Sequence, residues 1–416
     1  MGVLISTLYR IWAINYPPTP PKNSSAIRVG ILSTAWINSL AIITPSSSHP
    51  GVTIAAVASR SLERAAAYAE RFGIEKWYGS YEELLADPGI DAVYIPLPNG
   101  LHAHWAQRAL EAGKHVLLEK PFTSNASCAQ ALVNFHNSLP EPRPVLLEAF
   151  HFRFHPAWRF FLSLVAPMRK DRIEEASAQF SVQSGFFKPN DIRWEFDLAG
   201  GALMDIGTYS IAALRDVFGT EPEEVLGADV RMHENGGEGK VDEGVKAWYQ
   251  FPGGGVGSID GSIAERGWFG LPRIRIPKVM VKGKEVEVKG SDRAGNGEVH
   301  LKRRTLTMWN FPGPHFWHSI QILDQHTIRR AADGLTIKSW AESEYKTAYT
   351  WAWMATKIQD AAHWSTYRHM LDQFINKVQG KEGSGVWISG EDSIKQMKAI
   401  DDTYEKARLP VRLARS

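Results

Sequence analysis

Cysteine is almost missing from this chain: Cys128 is the only one in 416 residues. Its solitude excludes an intrachain disulfide framework and any metal centre built on thiolates, so no metal is expected, and it suits a reducing, cytoplasmic setting. No apolar run approaches the roughly 18 residues of a membrane-spanning helix. An excess of one charge is missing as well. The formal net charge is +2 with acidic and basic residues interspersed, which leaves no nucleic-acid footprint. A complete dinucleotide fingerprint is also absent, because Ser33, Ala35 and Asn38 stand where GxGxxG would place glycine after the first predicted strand. What remains has the composition of an ordinary globular protein and the length of about two to three domains.

The first sixteen residues, MGVLISTLYRIWAINY, are apolar apart from Arg10 and run into PPTPPK. They lack the basic start and small-residue cleavage site of a secretory signal. Met1, Gly2 and Ser6 fit the MGxxx[ST] myristoylation pattern, a single anchor signal. The preferred reading is a helical arm over residues 1–25, packed on the body or on a second subunit.

Downstream, strands alternate with helices. Residues 26–32 and Val52–Ala58 read as the first two strands, Tyr81–Ala86 as a helix opened by a Ser80/Glu83 capping box, and Ala92–Ile95 as a strand running into Pro98 and Asn99. The stretch around which the chain is organised is HVLLEKP, residues 115–121. Its apolar residues make a buried parallel strand that delivers Glu119 and Lys120 to the carboxyl end, where open α/β sheets bind ligands. Pro121 biases Lys120 away from the helical region and holds it on an abrupt turn. A helix at 124–136 and a strand at 145–150 complete a doubly wound parallel sheet, a Rossmann domain over residues 26–150.

Small side chains at Ser33 and Ala35, flanking Thr34, let a pyrophosphate approach the backbone at a helix N-terminus. Ser59, Arg60 and Arg64 follow the second strand, where an NAD-binding chain carries a carboxylate; a guanidinium there pairs with a 2′-phosphate. NADP is therefore the expected cofactor, with solvated helix-start arginines as the other reading. The His102 ring either touches the nicotinamide ribose or caps local backbone, and spacing does not separate the two.

From residue 151 the texture changes. A helix at Pro156–Val165 precedes strand-like runs at 174–182, 225–232, 245–251, 256–263 and 274–288, many of them alternating, which predicts an α+β domain over 151–416 with a large, mostly antiparallel open sheet. Residues 202–218 read as a helix between Gly200–Gly201 and Gly219. Asp205 and Tyr209 share one face of it, either as chemistry or as a helix-start carboxylate beside a buried tyrosine. Helices at 349–377 and 391–407 finish the chain, and the loop at 235–239 reads as its most flexible stretch.

HVLLEKP, then EAFHFRFHP at 148–156, then GGALMDIGTY at 200–209, resembles the glucose-fructose oxidoreductase and inositol dehydrogenase (Gfo/Idh/MocA) family over residues 26–410. Within it the similarity is greatest to the branch of dimeric dihydrodiol dehydrogenase and NADP-dependent D-xylose dehydrogenase, in the fungal form. The resemblance implies that Lys120 is the catalytic lysine, that Tyr209 stands where most relatives have histidine, and that Asp205 binds a substrate hydroxyl with Arg153 and His155 near the same pocket. It places Ser33, Thr34, Ala35, Ser59, Arg60, Arg64, Pro98, Asn99, His102, Glu119 and Lys120 along NADP, and it implies a second-domain sheet that covers the nicotinamide end and mediates a homodimer. Where relatives usually carry at least one glycine, Ser33, Ala35 and Asn38 depart. The implied reaction is oxidation of a sugar C1 hydroxyl or a vicinal diol, with Lys120 favouring the phenolate of Tyr209 as the base. A non-catalytic NADP-binding regulator and a glycosidase that uses nicotinamide transiently are the alternatives.

Overall fold

The computed structural model describes residues 2–169, 171–234, 239–267, 270–353 and 361–415. Six short strands, β1 (Ile27–Leu32), β2 (Val52–Ala58), β3 (Lys76–Tyr78), β4 (Ala92–Ile95), β5 (His115–Leu118) and β6 (Leu146–Glu148), pair in parallel in the order β3-β2-β1-β4-β5-β6. Every residue of β4 is buried, as is the whole Val116–Leu118 run of β5, because helices cover both faces of a parallel sheet. Three of those helices start on side-chain caps: Ser61, Ser80 and Asn125 each accept the backbone N–H three residues on. Strand order reverses between β1 and β4, so a crevice opens at their carboxyl ends.

The second sheet is built from β7 (Ile173–Gln183), β8 (Glu224–Met232), β9 (Asp242–Gln250), β10 (Val256–Glu265), β11 (Lys278–Gly283), β12 (Val286–Glu287), β13 (Glu298–Trp309), β14 (Ser319–Arg330) and β15 (Thr336–Lys346). The order is β15-β14-β13-β11-β7-β10-β9-β8, with β12 on β13. All neighbours are antiparallel except β7 and β10. The last three long strands are absent from the sequence reading. β15 is exposed along almost its whole length and carries no apolar face to find, while β13 and β14 spend several positions on charge.

The segment read as one helix at 202–218 opens as a π-turn, Leu203–Gly207, before the α-helix Thr208–Phe218. The two glycines ahead of it are sterically required. A Cβ on Gly200 would lie 2.4 Å from the Arg193 carbonyl oxygen, and one on Gly201, at φ +131°, would lie 2.2 Å from an Asp242 carboxylate oxygen. That carboxylate anchors the turn: it accepts the Leu203 N–H at 2.6 Å and pairs with fully buried Arg412 at 2.6 Å.

The arm is a helix, Gly2–Asn15, that packs on its own chain. Ala13 and Ile14 are buried, and the Arg10 guanidinium lies 3.4 Å from the Tyr349 ring centre. Met1 and residues 235–238 lie outside the described residues. The helix expected over 349–377 is a short 3-10 turn, Trp351–Trp353, and an α-helix, Thr366–Val378, with 354–360 between them also outside. Among the described residues no helix is long and apolar enough to cross a membrane. One apolar core joins the two sheets through the aromatic run Phe150, Phe152, Phe154, Trp158 and Phe161.

Candidate active site

A cavity of about 520 Å³ opens at the crevice where β1, β4 and β5 end. The Rossmann side contributes Ala35, Asn99, Glu119 and Lys120; the other wall is Phe180 and Val182 of β7, the 186–193 loop, Asp205, Ile206, Tyr209 and Tyr367. A larger cavity, about 610 Å³, lies around Arg159, Arg215 and Trp351 and includes none of the expected site residues.

Lys120 emerges from the turn after β5 with its side chain 13% exposed. Its ammonium donates to the Asp205 backbone carbonyl and to Asp205 Oδ1, both at 2.8 Å. Arg193 donates to the other oxygen of that carboxylate at 2.6 Å and also pairs with Asp191 at 2.9 Å. Burial pushes the Asp205 carboxyl up, but the Arg193 guanidinium and the Lys120 ammonium outweigh it and hold Asp205 well below the usual carboxylate range. The site thus carries a fixed anion between two cations. Glu119, buried behind them, accepts the Tyr94 hydroxyl at 2.6 Å and the Lys120 N–H at 3.2 Å, and burial raises its carboxyl.

Tyr209 lies beside this array with its ring centre 4.9 Å from the Lys120 ammonium. The surroundings of the hydroxyl work against the expected phenolate. Burial, with Tyr367, Glu119 and Asp205 adding to it, drives the Tyr209 hydroxyl well above its ordinary value, and the charge of Lys120 is already matched by Asp205. The hydroxyl instead meets His151 Nε2 at 2.8 Å. His151 Nδ1 in turn meets Thr366 Oγ1 at 2.9 Å, and the imidazole stacks on Tyr367 with ring centres 4.0 Å apart.

Three further expectations are corrected. His102 is completely buried, its two ring nitrogens facing the carbonyls of Pro121 at 2.9 Å and Leu97 at 2.8 Å, so both are engaged in bracing two loops, the backbone-capping alternative rather than a ribose contact. Arg153 is not in the cavity, because its guanidinium is consumed by a bidentate pair with Asp216 (2.8 and 3.1 Å) and by Asp392. His155 is also away from it, buried at the start of the helix Pro156–Val165, where Nδ1 accepts the Ala157 N–H at 3.1 Å. The turn His151–Phe154 decides this outcome by turning His151, rather than Arg153 or His155, toward Tyr209.

The expected cofactor residues lie along the carboxyl ends of β1, β2 and β4. Ser33 adopts φ +150°, a backbone region that favours glycine, at the first position of the missing motif. Its hydroxyl accepts the Ala35 N–H at 3.0 Å and its carbonyl accepts the buried Asn38 amide at 2.9 Å. Thr34 Oγ1 accepts from Arg64 at 3.4 Å. Ser59 is buried; Arg60 and Arg64 are exposed and, among the described residues, have no carboxylate partner. Pro98 sits half-buried before the turn Asn99–Leu101, and the Asn99 amide is tied to the Ala199 carbonyl at 2.9 Å.

His151, Arg193 and Tyr367 escaped the sequence reading. His151 had a signal, since it is the polar residue between Phe150 and Phe152 in the aromatic motif. Arg193 and Tyr367 sit in no motif.

Residues 27–140 match the family described as "Oxidoreductase family, NAD-binding Rossmann fold", and residues 171–292 match "GFO/IDH/MocA C-terminal domain". A D-xylose 1-dehydrogenase (NADP(+)) of Haloferax volcanii is 40% identical over 241 residues, covering 56% of this chain and 69% of that enzyme. A trans-1,2-dihydrobenzene-1,2-diol dehydrogenase of Mus musculus is 35% identical over 243 residues, covering 58% and 69%. The match to an uncharacterized oxidoreductase of Rhizobium meliloti, 43% identical over 200 residues, spans 48% of this chain and 58% of that protein's length. Among solved structures, a 3-ketoreductase from Actinomadura kijaniata in complex with NADP and TDP-benzene superposes with a TM-score of 0.66 at 27% identity, covering 92% of this chain and 98% of that one.

Proposed function

The chain belongs to the Gfo/Idh/MocA oxidoreductase family, and on that premise we propose that it is an NADP-dependent dehydrogenase that oxidises a sugar C1 hydroxyl, D-xylose-like aldose to lactone, or a related vicinal diol. The observation that carries this reading is the Lys120–Asp205–Arg193 ion chain beside Tyr209 in a cavity at the switch point of the parallel sheet.

The residues present fit the cofactor. Two guanidinium groups without a carboxylate partner among the described residues, Arg60 and Arg64, follow β2 where a 2′-phosphate would lie, and no carboxylate occupies residues 59–61 to repel it. Ser33, Thr34 and Ala35 form the turn that would face the pyrophosphate, and Asn99, Glu119 and Lys120 would flank the nicotinamide. When bound, that ring accepts the hydride.

The protein's own groups do the rest. An ammonium has three N–H donors, and Lys120 spends two on Asp205, leaving one for the substrate oxygen. The ionised Asp205, fixed by Arg193, accepts a neighbouring substrate hydroxyl. Tyr209 presents the oxygen that takes the departing proton, while Phe180, Phe187 and Tyr367 narrow the cavity against water. A homodimer through the outer face of the large sheet, which exposes Leu226 and Trp248, belongs to the same reading.

The test is a screen of purified protein with D-xylose, D-glucose or a trans-dihydrodiol, each with NADP and with NAD, following reduced-nicotinamide absorbance. Net NADPH formation with one of these substrates is expected. Tight NADP binding with no turnover on any of them would favour the regulator, and glycoside cleavage without net NADPH would favour the glycosidase.

A further inference from the structure

We propose that His151 is the proton acceptor behind Tyr209: as the tyrosine oxygen takes the substrate proton, the tyrosine's own proton passes to His151 Nε2, so that no free tyrosinate forms. The inference deepens the dehydrogenase reading and rests on it. His151 touches no substrate and acts through Tyr209.

The geometry is a continuous chain from the cavity into the core. Tyr209 lines the cavity, its hydroxyl lies 2.8 Å from His151 Nε2, and His151 Nδ1 lies 2.9 Å from Thr366 Oγ1. All three residues are buried, so water does not compete for these contacts. With its proton on Nδ1 and donated to Thr366, the neutral imidazole offers Nε2 as an acceptor for the Tyr209 O–H. Stacking on Tyr367 fixes the ring in that orientation. The groups that face the pair are Tyr367, His315, Lys120, Glu119, Asp205 and Arg193, the last paired with Asp205; burial, with His315 and Lys120, also holds the His151 imidazole below its ordinary value, so it carries the proton only for the duration of the hydride transfer. Two of them are carboxyl groups, and Lys120 is already paired, so the surroundings disfavour a phenolate and the hydroxyl needs somewhere to send its proton.

The step balances. The substrate O–H bond breaks and its proton joins Tyr209 Oη; the old Tyr209 O–H bond breaks and its proton joins His151 Nε2. The substrate C–H bond breaks and its electron pair leaves with hydrogen as hydride to the oxidised nicotinamide, which is reduced as the alcohol is oxidised to a carbonyl. The positive charge lost by the nicotinamide reappears on the imidazole. After product leaves, the proton returns through Tyr209 to solvent.

His151→Gln keeps a hydrogen-bond acceptor for the Tyr209 hydroxyl but cannot hold a proton. Turnover at neutral pH is expected to fall at least about 10²-fold with little change in KM, and to recover as pH rises because Tyr209 must then ionise unaided. A loss that is independent of pH, or no loss, would overturn the relay. The second measurement is ¹⁵N NMR of the histidine rings in ligand-free protein, which needs neither substrate nor cofactor. His151 should be neutral with its proton on Nδ1, and Tyr209→Phe should shift its Nε2 resonance. A proton resident on Nε2 would overturn the proposal, and since that result does not depend on the substrate it separates failure of the relay from failure of the dehydrogenase reading.

Discussion

Arg193 holds Asp205 at 2.6 Å from twelve residues away, on the oxygen that Lys120 does not use. Removing the guanidinium leaves a buried carboxylate with one cation. Loss of one partner from a fully buried pair costs about 3–5 kcal/mol, and the part-exposure here reduces that to roughly 1–3 kcal/mol. Arg193→Ala is therefore expected to lower stability at pH 7 in denaturant titrations. Because the folded Asp205 titrates below its unfolded value, its contribution is complete above the ordinary carboxylate range and is lost as pH falls toward the folded value; in the variant, whose folded carboxyl titrates closer to the unfolded one, that contribution should be smaller and its loss complete at a higher pH. Unchanged stability at pH 7 would show that Lys120 alone suffices.

Tyr209→Phe keeps the ring against Phe150, Phe152 and Phe180 and removes only the oxygen. Folding and NADP binding should survive while turnover falls about 10²- to 10⁴-fold. Near-normal turnover would remove the tyrosine from the chemistry.

On the proposed NADP reading Arg60→Ala would delete a charge-assisted contact to the 2′-phosphate worth about 1.5–3 kcal/mol, which corresponds to roughly tenfold to a hundredfold in affinity. The KM for NADP should rise by that order and the KM for NAD should stay put. Equal losses for both cofactors would assign the arginine to solvent.

Ser33 pays for a glycine-like φ with roughly 1–3 kcal/mol of strain. Ser33→Gly relieves it at the cost of the hydroxyl contact to Ala35 and some unfolded-state entropy, so the melting temperature should rise modestly. Ser33→Ala keeps the strain, loses the contact and should lower it. Two shifts of the same sign would mean that the strain is not carried at this residue.

Eight buried histidines titrate below their ordinary value in the folded chain: burial holds His102 and His318 at about 4, His315 and His369 at about 3, pushes His151 and His155 well down, and lowers His49 and His300. Each binds a proton in the unfolded chain below about pH 6.5 but not in the folded one, so stability is full above that pH and falls as pH drops. Glu148 and Asp401, raised by burial to about 7, oppose this, since the folded chain binds their protons first. The histidines outnumber these two carboxyl groups, so the balance is a net proton uptake on unfolding and a stability that falls as pH falls. Denaturation free energies measured between pH 7 and 4.5 check the sign; a flat profile would contradict it.

The first sheet was legible because buried parallel strands leave uninterrupted apolar runs. Val52–Ala58 and Ala92–Ile95 begin and end in the structure where pattern alone puts them. Lys120, Asp205 and Tyr209 were legible because a strand end, a proline turn and a glycine pair mark their places in the chain. Strand β15 was not, since an exposed edge has no apolar face to announce it, and β13 and β14 interrupt their buried apolar positions with charged residues.

The amino-acid order by itself determined the alternation of strand and helix, the lysine at a strand end, and the two glycines without which the turn carrying Asp205 would collide with Arg193 and Asp242. Tertiary structure alone decided which polar groups meet. Arg153 and His155 belong to the same motif as His151, yet a turn of four residues buries one in ion pairs and the other at a helix start, and leaves the third on the Tyr209 hydroxyl. Periodicity fixes which residues share a face, but the direction of a side chain in an irregular turn depends on the surfaces that close over it. Here those surfaces come from Tyr209, Asp216 and Thr366, which lie 58 to 215 residues from the His151 and Arg153 side chains they capture.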